Sequence, residues 1–388
     1  MHQMNTKVRN VVTVKQVEKA SPDSRPAVAL ITAHGWVGIS NPVIHTAQFM
    51  ADNGYRVDIF MTPDAACEEM GISHPALEHA HIQVYACAGS ASPVQTTAVL
   101  GDVQVPLSDI EFVDTYSNNP ADYQWLIGFD PGGLNRAGLL SLIWKVPYVY
   151  HSLELYENDW SGKETERWFS DKALLVLTQD ETRADILAEL NQVSRDKVQV
   201  AYNSAPGAAT PQKKDYFHQA LGIPADKRIV LATGTLLPIH GTDAIVDSVA
   251  DWPDEFVLVL HGWIPERQFE AILRERISAG NGRIFLSTDI LDQDHKNDIF
   301  QSADVGLVFF RPEGVNYKFA AGSSGKLFDF MRSGVPIIGN DIPGMRPGGR
   351  QRLWCGGSRC NWNRGCVGGV AGKAHRTQPK WFASLYAI

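Results

Sequence analysis

The sequence predicts an α/β protein of two domains, each built on a doubly wound parallel sheet. Three observations lead to this prediction. Short β-branched runs alternate with helical patterns in the first half of the chain, the alternation breaks between residues 204 and 227, and it then restarts. Such alternation is typical of parallel sheets with helical crossovers. A chain of 388 residues is also long for one domain.

The first predicted domain covers residues 1–203. Its apolar runs have the length and β-branched content of buried strands. These strands are predicted at residues 27–33, 56–61, 82–86, 125–129, 148–151, 173–178 and 198–202. Helices between them are predicted at residues 42–53, 134–144, 164–170 and 180–190.

A linker is predicted at residues 204–227, which are rich in proline, alanine and charge. The second domain then covers residues 228–345. Its strands are predicted at residues 228–234, 256–262, 283–286, 305–310 and 335–339, and its helices at 242–250, 266–277 and 296–302. Ligands bind beyond the carboxyl ends of strands in open parallel sheets, so we expect the chemistry in a cleft between the domains.

The stretch GSSGKLFDFMRSG, residues 322–334, predicts one more helix. Ser324 is expected to cap it with its side chain, and Leu327, Phe328 and Met331 to form its buried stripe. Gly334 suits the left-handed closing position. The stretch is not the P-loop of nucleotide hydrolases, because Leu327 stands where that motif needs a hydroxyl. A helix that begins in small residues suits a diphosphate; the alternative is a simple turn with a solvated Asp329.

Charge and composition exclude several classes of function. The net charge is −8, and residues 1–203 carry 14 Lys and Arg against 25 Asp and Glu. This disfavours nucleic acid, and it allows at most peripheral contact with a membrane. There is no run of eighteen apolar residues and no apolar signal-peptide core near the N-terminus. With five cysteines, we expect a cytoplasmic protein, at most peripheral at the inner membrane face.

The tail from residue 346 to 388 departs from this pattern. After Asp341 the chain has eight Lys and Arg, three of its five cysteines and no acidic residue. Arginine, tryptophan, cysteine and glycine cluster there without a helical or strand period, as they do when a GC-rich gene is translated in the wrong frame. We therefore expect a frameshift near residue 346, poor packing of the tail and an unpaired sheet edge. The alternative is a genuine basic, disordered appendage.

Five strings in order resemble a known family. They are ITAHGWVGIS, VPYVYHSLELY, VAYNSAPG, ATGTLLPIHGTDAI and SSGKLFDFMRSGVPIIGND. The chain resembles the retaining glycosyltransferases of family 4 type, whose GT-B fold has two Rossmann-like domains facing each other across a cleft. The resemblance covers about 320 residues and leaves the C-terminal end atypical.

The resemblance implies roles for residues of both domains. Asp329 matches the acid that binds the donor ribose, and His151 a histidine that reaches the donor sugar. The other donor-side matches are Gly234, Thr235, His240, Ser323, Ser324, Gly325 and Lys326. On the acceptor side the matches are His34, Gly35 and Gly38.

The chain departs from the family's pattern on the donor side. Ala321 stands where the resemblance implies a glutamate that helps hold the sugar ring, so the identity of the donor sugar is left open, and His240 falls where many relatives have a lysine on the phosphates. The paired Arg and Lys that neutralise the diphosphate are not obvious. Lys326, Arg311 and Lys318 are the candidate substitutes.

Each chemical interpretation has a simpler alternative. His151 and His34 can equally be packed, hydrogen-bonded histidines. Glu154 can be a helix N-terminal acid, and Asn203 can shape a turn. A zinc cluster of Cys355, Cys360, Cys366 and His375 lacks the paired C-x-x-C spacing of such sites, so no metal site is predicted.

The resemblance implies a hexosyltransferase that moves a sugar from a nucleotide-sugar donor to a glycan or lipid-linked acceptor. Cell-surface polysaccharide or glycoconjugate synthesis is the expected setting. Transfer is expected to be retaining, by same-face attack in which the leaving phosphate takes the acceptor's proton, without metal or cofactor. A nucleotide-sugar epimerase, a glycoside phosphorylase and a non-catalytic sugar-nucleotide binder remain alternatives.

Overall fold

The structure of the protein is a computed structural model. It describes residues 11–13, 25–38, 40–62, 77–86, 97–116, 123–205, 207–289, 293–343, 345, 354–355 and 358–359. The chain divides into two compact units, Met1–Tyr202 and Asn203–Ile388.

The first unit is built on a parallel sheet of eight strands in the order β1-β4-β3-β2-β7-β8-β9-β10. The strands are β1 (Val11–Thr13), β2 (Ala27–Ile31), β3 (Arg56–Met61), β4 (Ile82–Ala86), β7 (Tyr123–Phe129), β8 (Tyr148–His151), β9 (Leu175–Thr178) and β10 (Val198–Val200). The strand order reverses between the neighbours β2 and β7, which makes their carboxyl ends the topological switch point where such sheets bind ligands.

Five helices complete this unit in the described residues. They are α1 (Asn41–Asp52), α2 (Leu107–Tyr116), α3 (Asp130–Trp144), α4 (Lys163–Lys172) and α5 (Glu181–Asn191). An antiparallel hairpin of β5 (Thr97–Leu100) and β6 (Val103–Pro106) precedes α2. Neither α2 nor this hairpin was predicted from the sequence.

The start of α3 packs directly on the end of β2. A Cβ at Gly133 would lie 2.3 Å from the carbonyl oxygen of Ile31, and one at Gly132 would lie 2.3 Å from Cβ of Ala33. Only glycine permits this approach. The loop after β2 and the first turn of α3 are therefore held together at the switch point.

The second unit has a parallel sheet of five strands in the order β13-β12-β11-β14-β15. These are β11 (Arg228–Thr235), β12 (Phe256–Trp263), β13 (Ile284–Ser287), β14 (Val305–Val308) and β15 (Ile337–Gly339). The helices are α6 (Tyr216–Leu221), α7 (Thr242–Ser248), α8 (Arg267–Ala279), α9 (Gln293–Gln301), α10 (Gly314–Lys318) and α11 (Gly325–Arg332). Here the switch point lies between β11 and β14.

Part of the predicted linker belongs to the second unit's core. Helix α6 lies inside residues 204–227, and its Phe217 is fully buried beside Ile229 and Leu231. The segment therefore contributes packed structure, which its proline and charge content did not indicate.

The expectations for residues 346–388 lie outside the described residues except at β16 (Trp354–Cys355) and β17 (Ser358–Arg359), which pair antiparallel. In the described part of the second sheet, β15 pairs with β14 on one side.

A membrane-spanning helix would need a long apolar stretch. Among the described residues, no helix meets that requirement.

Candidate functional site

The carboxyl end of β11 leaves an open space above Gly234. This residue has φ of +106°, is exposed, and a Cβ built on it would meet no atom within 4 Å. Its neighbour in register, Gly262, is the opposite case, because a Cβ there would lie 1.8 Å from the carbonyl oxygen of Gly234. The two glycines let the strand ends approach each other while the backbone at Gly234 stays open to a ligand.

His240 lies beside this strand end with its ring held in place. Its Nδ1 lies 2.5 Å from the carbonyl oxygen of Thr235. Its ring packs edge-on against Phe310, with 5.5 Å between the ring centroids, and against Tyr317. Burial, and next the charge of Lys326, lower the pKa of His240 to about 4, with the Thr235 carbonyl acting in the opposite direction. The ring is therefore neutral at physiological pH.

Helix α11 begins at the predicted junction, but its cap differs from the prediction. Ser324 occupies the N-cap position and its side chain makes no capping hydrogen bond. Its Oγ is buried and has no partner among the described residues. A buried hydroxyl is normally hydrogen-bonded, so this orphaned group indicates a missing ligand or water.

The buried face of α11 also differs from the predicted stripe. Leu327 and Phe330 are buried in the core, whereas Met331 is 46% exposed and Phe328 is half-buried. Gly306, on β14, allows this packing, because a Cβ there would lie 2.6 Å from the Phe330 ring. The helix is rotated relative to the expected stripe, and this places Asp329 on its buried side.

Lys326 is the candidate cation at this helix start. Its Nζ lies 4.8 Å from the centroid of the Phe310 ring, on the aromatic side chain that also contacts His240. Burial lowers the pKa of Lys326 to about 8. In the described part of the chain, no carboxylate forms an ion pair with it.

The other two candidate cations are engaged elsewhere. Arg311 donates from Nη2 to both carboxylate oxygens of Asp243, at 2.9 Å each. Lys318 is exposed and lies over the ring of its neighbour Phe319. The sequence suggested Lys326, Arg311 and Lys318 as substitutes for the paired Arg and Lys. Among the described residues, Lys326 has no carboxylate partner, and its charge acts on His240.

Asp329 is 9% exposed and lies one turn into α11. Burial raises its pKa, and the positive charges of Lys296 and Arg332 act in the opposite direction. Within the described residues, no donor lies within hydrogen-bonding distance of the carboxylate. It is therefore available to accept hydrogen bonds from hydroxyl groups of a ligand.

The loop before α11 is fixed from two sides. Asn203 donates from Nδ2 to the carbonyl oxygen of Ser323 at 2.8 Å, and Ser323 donates from Oγ to the carbonyl oxygen of Ala320 at 2.9 Å. Asn203 therefore supports the loop before α11. Ala321, the position at which the resemblance implies a sugar-binding glutamate, is fully buried in the core.

In the first unit, His151 ends β8 and is 5% exposed. Its ring packs against Phe129 with 5.1 Å between centroids. Neither ring nitrogen has a partner among the described residues, and burial lowers the pKa of His151 to about 4. A packed core histidine normally satisfies at least one nitrogen. The unpaired nitrogens therefore favour a ligand role over a purely structural one.

The predicted acceptor-side residues lie in the loop after β2. His34 is half-buried, its carbonyl oxygen accepts a 2.7 Å hydrogen bond from Thr32, and Gly35 and Gly38 are buried. Since β2, β7 and β8 are neighbours in one parallel sheet, the His34 loop and His151 follow carboxyl ends at the same edge. Glu154 is exposed and lies in the loop after β8.

Sequence reasoning missed Asp130, at the carboxyl end of β7. It has φ of +55°, a left-handed conformation uncommon outside glycine. Its Oδ1 accepts hydrogen bonds from the backbone N–H groups of Leu153 at 2.8 Å and Glu154 at 3.0 Å. These bonds hold the loop that follows His151. Burial, and next the charge of Glu154, raise the pKa of Asp130 to about 7. An aspartate directly before Pro-Gly-Gly was the available signal.

Asp130 should make the protein's stability depend on pH. Its folded pKa, about 7, lies above the ordinary aspartate value, so its contribution is fully present below pH ~4 and is lost as pH rises through about 7. Asp130→Asn keeps the size but cannot ionise. As pH rises from about 5 to about 8, we expect its free energy of unfolding to gain ~2–3 kcal/mol relative to that of the parent. Denaturant unfolding at both pH values measures this difference. An identical pH dependence of the two proteins would contradict it.

In the described residues, no group of three or more His, Cys, Asp and Glu side chains is arranged to hold a metal ion. Cys360, Cys366 and His375, which belong to the zinc alternative, lie outside those residues.

No protein-family model matches the chain, and no curated protein matches it. Solved structures do match. HepE from Anabaena, in complex with UDP and glucose, is 18% identical with a TM-score of 0.62, over 83% of this chain and 82% of HepE. Sucrose-phosphate synthase from Thermosynechococcus elongatus is 17% identical with a TM-score of 0.57, over 83% and 82%. A glycosyltransferase from Rickettsia africae is 13% identical with a TM-score of 0.51, over 83% and 81%.

These neighbours show the fold of the chain. The predicted fold class is confirmed: the protein has the GT-B fold, with two domains built on parallel α/β sheets. At 13–18% sequence identity, this structural similarity shows the fold alone.

Proposed function

We propose that the protein is a glycosyltransferase that moves a sugar from a nucleotide-sugar donor to an acceptor hydroxyl. The observation that carries the proposal is the set of unpartnered polar groups at the start of α11, beside the open backbone of Gly234. Within the described residues, Ser324 Oγ has no hydrogen-bond partner, Lys326 has no carboxylate partner and Asp329 has no donor. A hydroxyl, a cation and a carboxylate suit the diphosphate and ribose of a nucleotide. HepE, which shares the fold, has been solved with UDP and with UDP-glucose.

The leaving diphosphate gains negative charge as the glycosidic bond breaks, and fixed donors that meet this charge lower the barrier. We assign this role to Lys326 and to the first backbone N–H groups of α11, supported by the helix dipole. Gly234 and Thr235 lie under the donor, and Ser323 and Gly325 shape the loop that holds the diphosphate. Asp329 accepts from the ribose hydroxyls.

We further propose that transfer retains the anomeric configuration without a metal. The acceptor hydroxyl attacks from the face that the diphosphate leaves, and the leaving phosphate takes its proton. His151 is neutral at physiological pH, so it can hydrogen-bond a sugar hydroxyl but carries no charge to the reaction. His34, Gly35 and Gly38 are assigned to the acceptor. A glycan or lipid-linked acceptor in polysaccharide or glycoconjugate synthesis, at the cytoplasmic face of a membrane, fits this chemistry.

Donor screening with the purified full chain tests the proposal. UDP-, GDP- and ADP-sugars are incubated with and without simple glycoside acceptors, and with and without EDTA. We expect one nucleotide class to bind and its sugar to be transferred with retained configuration, equally well in EDTA. Release of an epimerised sugar, or cleavage that needs inorganic phosphate, would replace transfer with one of the alternative activities. Binding without any turnover would indicate a non-catalytic binder.

Replacing His151 separates binding from turnover. His151→Ala should lower kcat about 10-fold or more, the effect of one hydrogen bond to the reacting sugar, because ~1.4 kcal/mol is tenfold in rate. Nucleotide affinity should stay within about twofold, since the role assigned to His151 concerns the sugar and not the diphosphate. His151→Gln, which keeps a donor and an acceptor, is the matched control and should retain more activity. A loss of thermal stability with unchanged kcat would make His151 a core residue.

A further inference from the structure

The hydrogen bond of His240 determines which ring nitrogen carries the proton. Nδ1 lies 2.5 Å from the carbonyl oxygen of Thr235, and a carbonyl can only accept. Nδ1 must therefore be the N–H, and in the neutral ring Nε2 carries a lone pair. In this state Nε2 can accept a hydrogen bond but cannot donate one to a phosphate.

The charged groups described around His240 do not favour protonation of its Nε2. On α11, Lys326 shares the Phe310 ring with His240, and its positive charge opposes protonation of the imidazole. On α7, Asp243 is engaged by both carboxylate oxygens with Arg311. On α10, Tyr317 contacts the ring as an aromatic neighbour, and Lys318 lies over Phe319. Among the described residues, no carboxylate holds a proton on the imidazole.

A bound nucleotide sugar would favour the protonated form of His240. Its two phosphates carry one fixed negative charge each near neutral pH, and Lys326 supplies one positive charge. A neutral His240 would leave the second charge to the backbone N–H groups of α11 alone and would turn a lone pair towards the phosphate oxygens, in a partly buried site where such repulsion is costly. Protonation of Nε2 removes the repulsion and adds a charge-assisted hydrogen bond.

We propose that binding of the diphosphate is accompanied by uptake of one proton from solvent onto Nε2 of His240. The proposal rests on the proposed function, because it places the donor diphosphate beside this ring. The positive charge of the imidazole is then present only in the complex.

The proposed proton uptake determines how the affinity for a nucleotide sugar depends on pH. The pKa of His240 is about 4 in the unliganded protein and rises in the complex. Between these two values, binding takes up a proton, so affinity falls as pH rises through the pKa of the complex. Lys326, with a pKa of about 8, is charged in both states near pH 6.5 and contributes proton uptake only at higher pH.

Calorimetric titration measures the proton directly. UDP-glucose, GDP-mannose and ADP-glucose are titrated into the full chain at about pH 6.5, in buffers that differ in ionisation enthalpy. Nucleotide sugars are chosen over UDP because their phosphates do not titrate in this range. We expect uptake of about 0.5–1 proton per bound ligand.

Two variants identify the residue that takes the proton. His240→Gln cannot be protonated, and His240→Lys is charged before binding, so each should bind with no net uptake and with affinity nearly constant between about pH 6 and pH 8. Binding by the parent protein without uptake, or uptake that persists in both variants, would overturn the inference and leave the donor site standing. If none of the three ligands binds, the proposed donor site fails and the inference fails with it.

Discussion

Replacing Lys326 with alanine is expected to weaken nucleotide-sugar binding by roughly 10–150-fold, because a charge-assisted interaction contributes about 1.5–3 kcal/mol. Among the described residues, Lys326 is the cation at the start of α11 that lacks a carboxylate partner. Its truncation leaves the leaving diphosphate to backbone N–H groups and to His240. Turnover should fall further than affinity does, since the charge on the diphosphate grows in the transition state.

Two matched variants control this experiment. Lys326→Arg keeps the charge and should recover part of the affinity, although the guanidinium is bulkier in a half-buried position. Lys318→Ala removes an exposed lysine that lies over Phe319, and it should leave affinity within about twofold. Calorimetric titration with the donor found by screening provides the measurement. Equal losses in Lys326→Ala and Lys318→Ala would mean that a diffuse surface charge, and not a specific cation, attracts the nucleotide.

Strand positions were the most predictable feature of the fold. Arg56–Met61, Ile82–Ala86 and Tyr148–His151 begin and end at the residues predicted. Short runs rich in apolar and β-branched residues made these strands recognisable. The β5–β6 hairpin gives a weaker signal, because each strand has only four residues and no residue of β5 is buried.

The candidate site was predictable where it depends on residue type and order. The start of α11 after Ser324 and the position of Asp329 one turn into that helix agree with the sequence pattern, and the ligand roles of these residues stay predictions. The orientation of side chains around α11 was not predictable from spacing. Phe330 packs against Gly306 on β14, and this contact between distant residues rotates Met331 outward.

The ion-pair partners and pKa values of the candidate site residues could not be predicted from the sequence. Three candidate cations look equivalent in sequence, yet Arg311 is engaged by Asp243, which lies 68 positions earlier in the chain. The raised pKa of Asp130 depends on burial and on Glu154, in a loop that Asp130 itself holds. Such properties arise from packing, so a sequence pattern can only propose them.

The largest effect on stability is expected at the strand end beneath the proposed donor. Gly262→Ala would place a Cβ 1.8 Å from the carbonyl oxygen of Gly234 and would force an L-residue to adopt φ of +153°. The obstructing atom is backbone in the adjacent parallel strand, so relief requires the two strands to separate at their ends. We expect the free energy of unfolding to fall by roughly 3–5 kcal/mol, the range of the severe single substitutions.

Gly234→Ala is the matched control, because it alters the facing residue of the same strand pair. A Cβ at Gly234 meets no atom within 4 Å, so the variant bears only the cost of a left-handed φ, about 1–2 kcal/mol. Denaturant unfolding of both variants separates steric collision from backbone strain. Nucleotide-sugar titration of Gly234→Ala then tests the site itself: a folded variant with weakened binding is expected, because the new methyl group occupies the space assigned to the ligand. If both variants are equally stable, the close approach of β11 and β12 at this point is not a constraint on the fold. Retained affinity in Gly234→Ala would place the donor away from the end of β11.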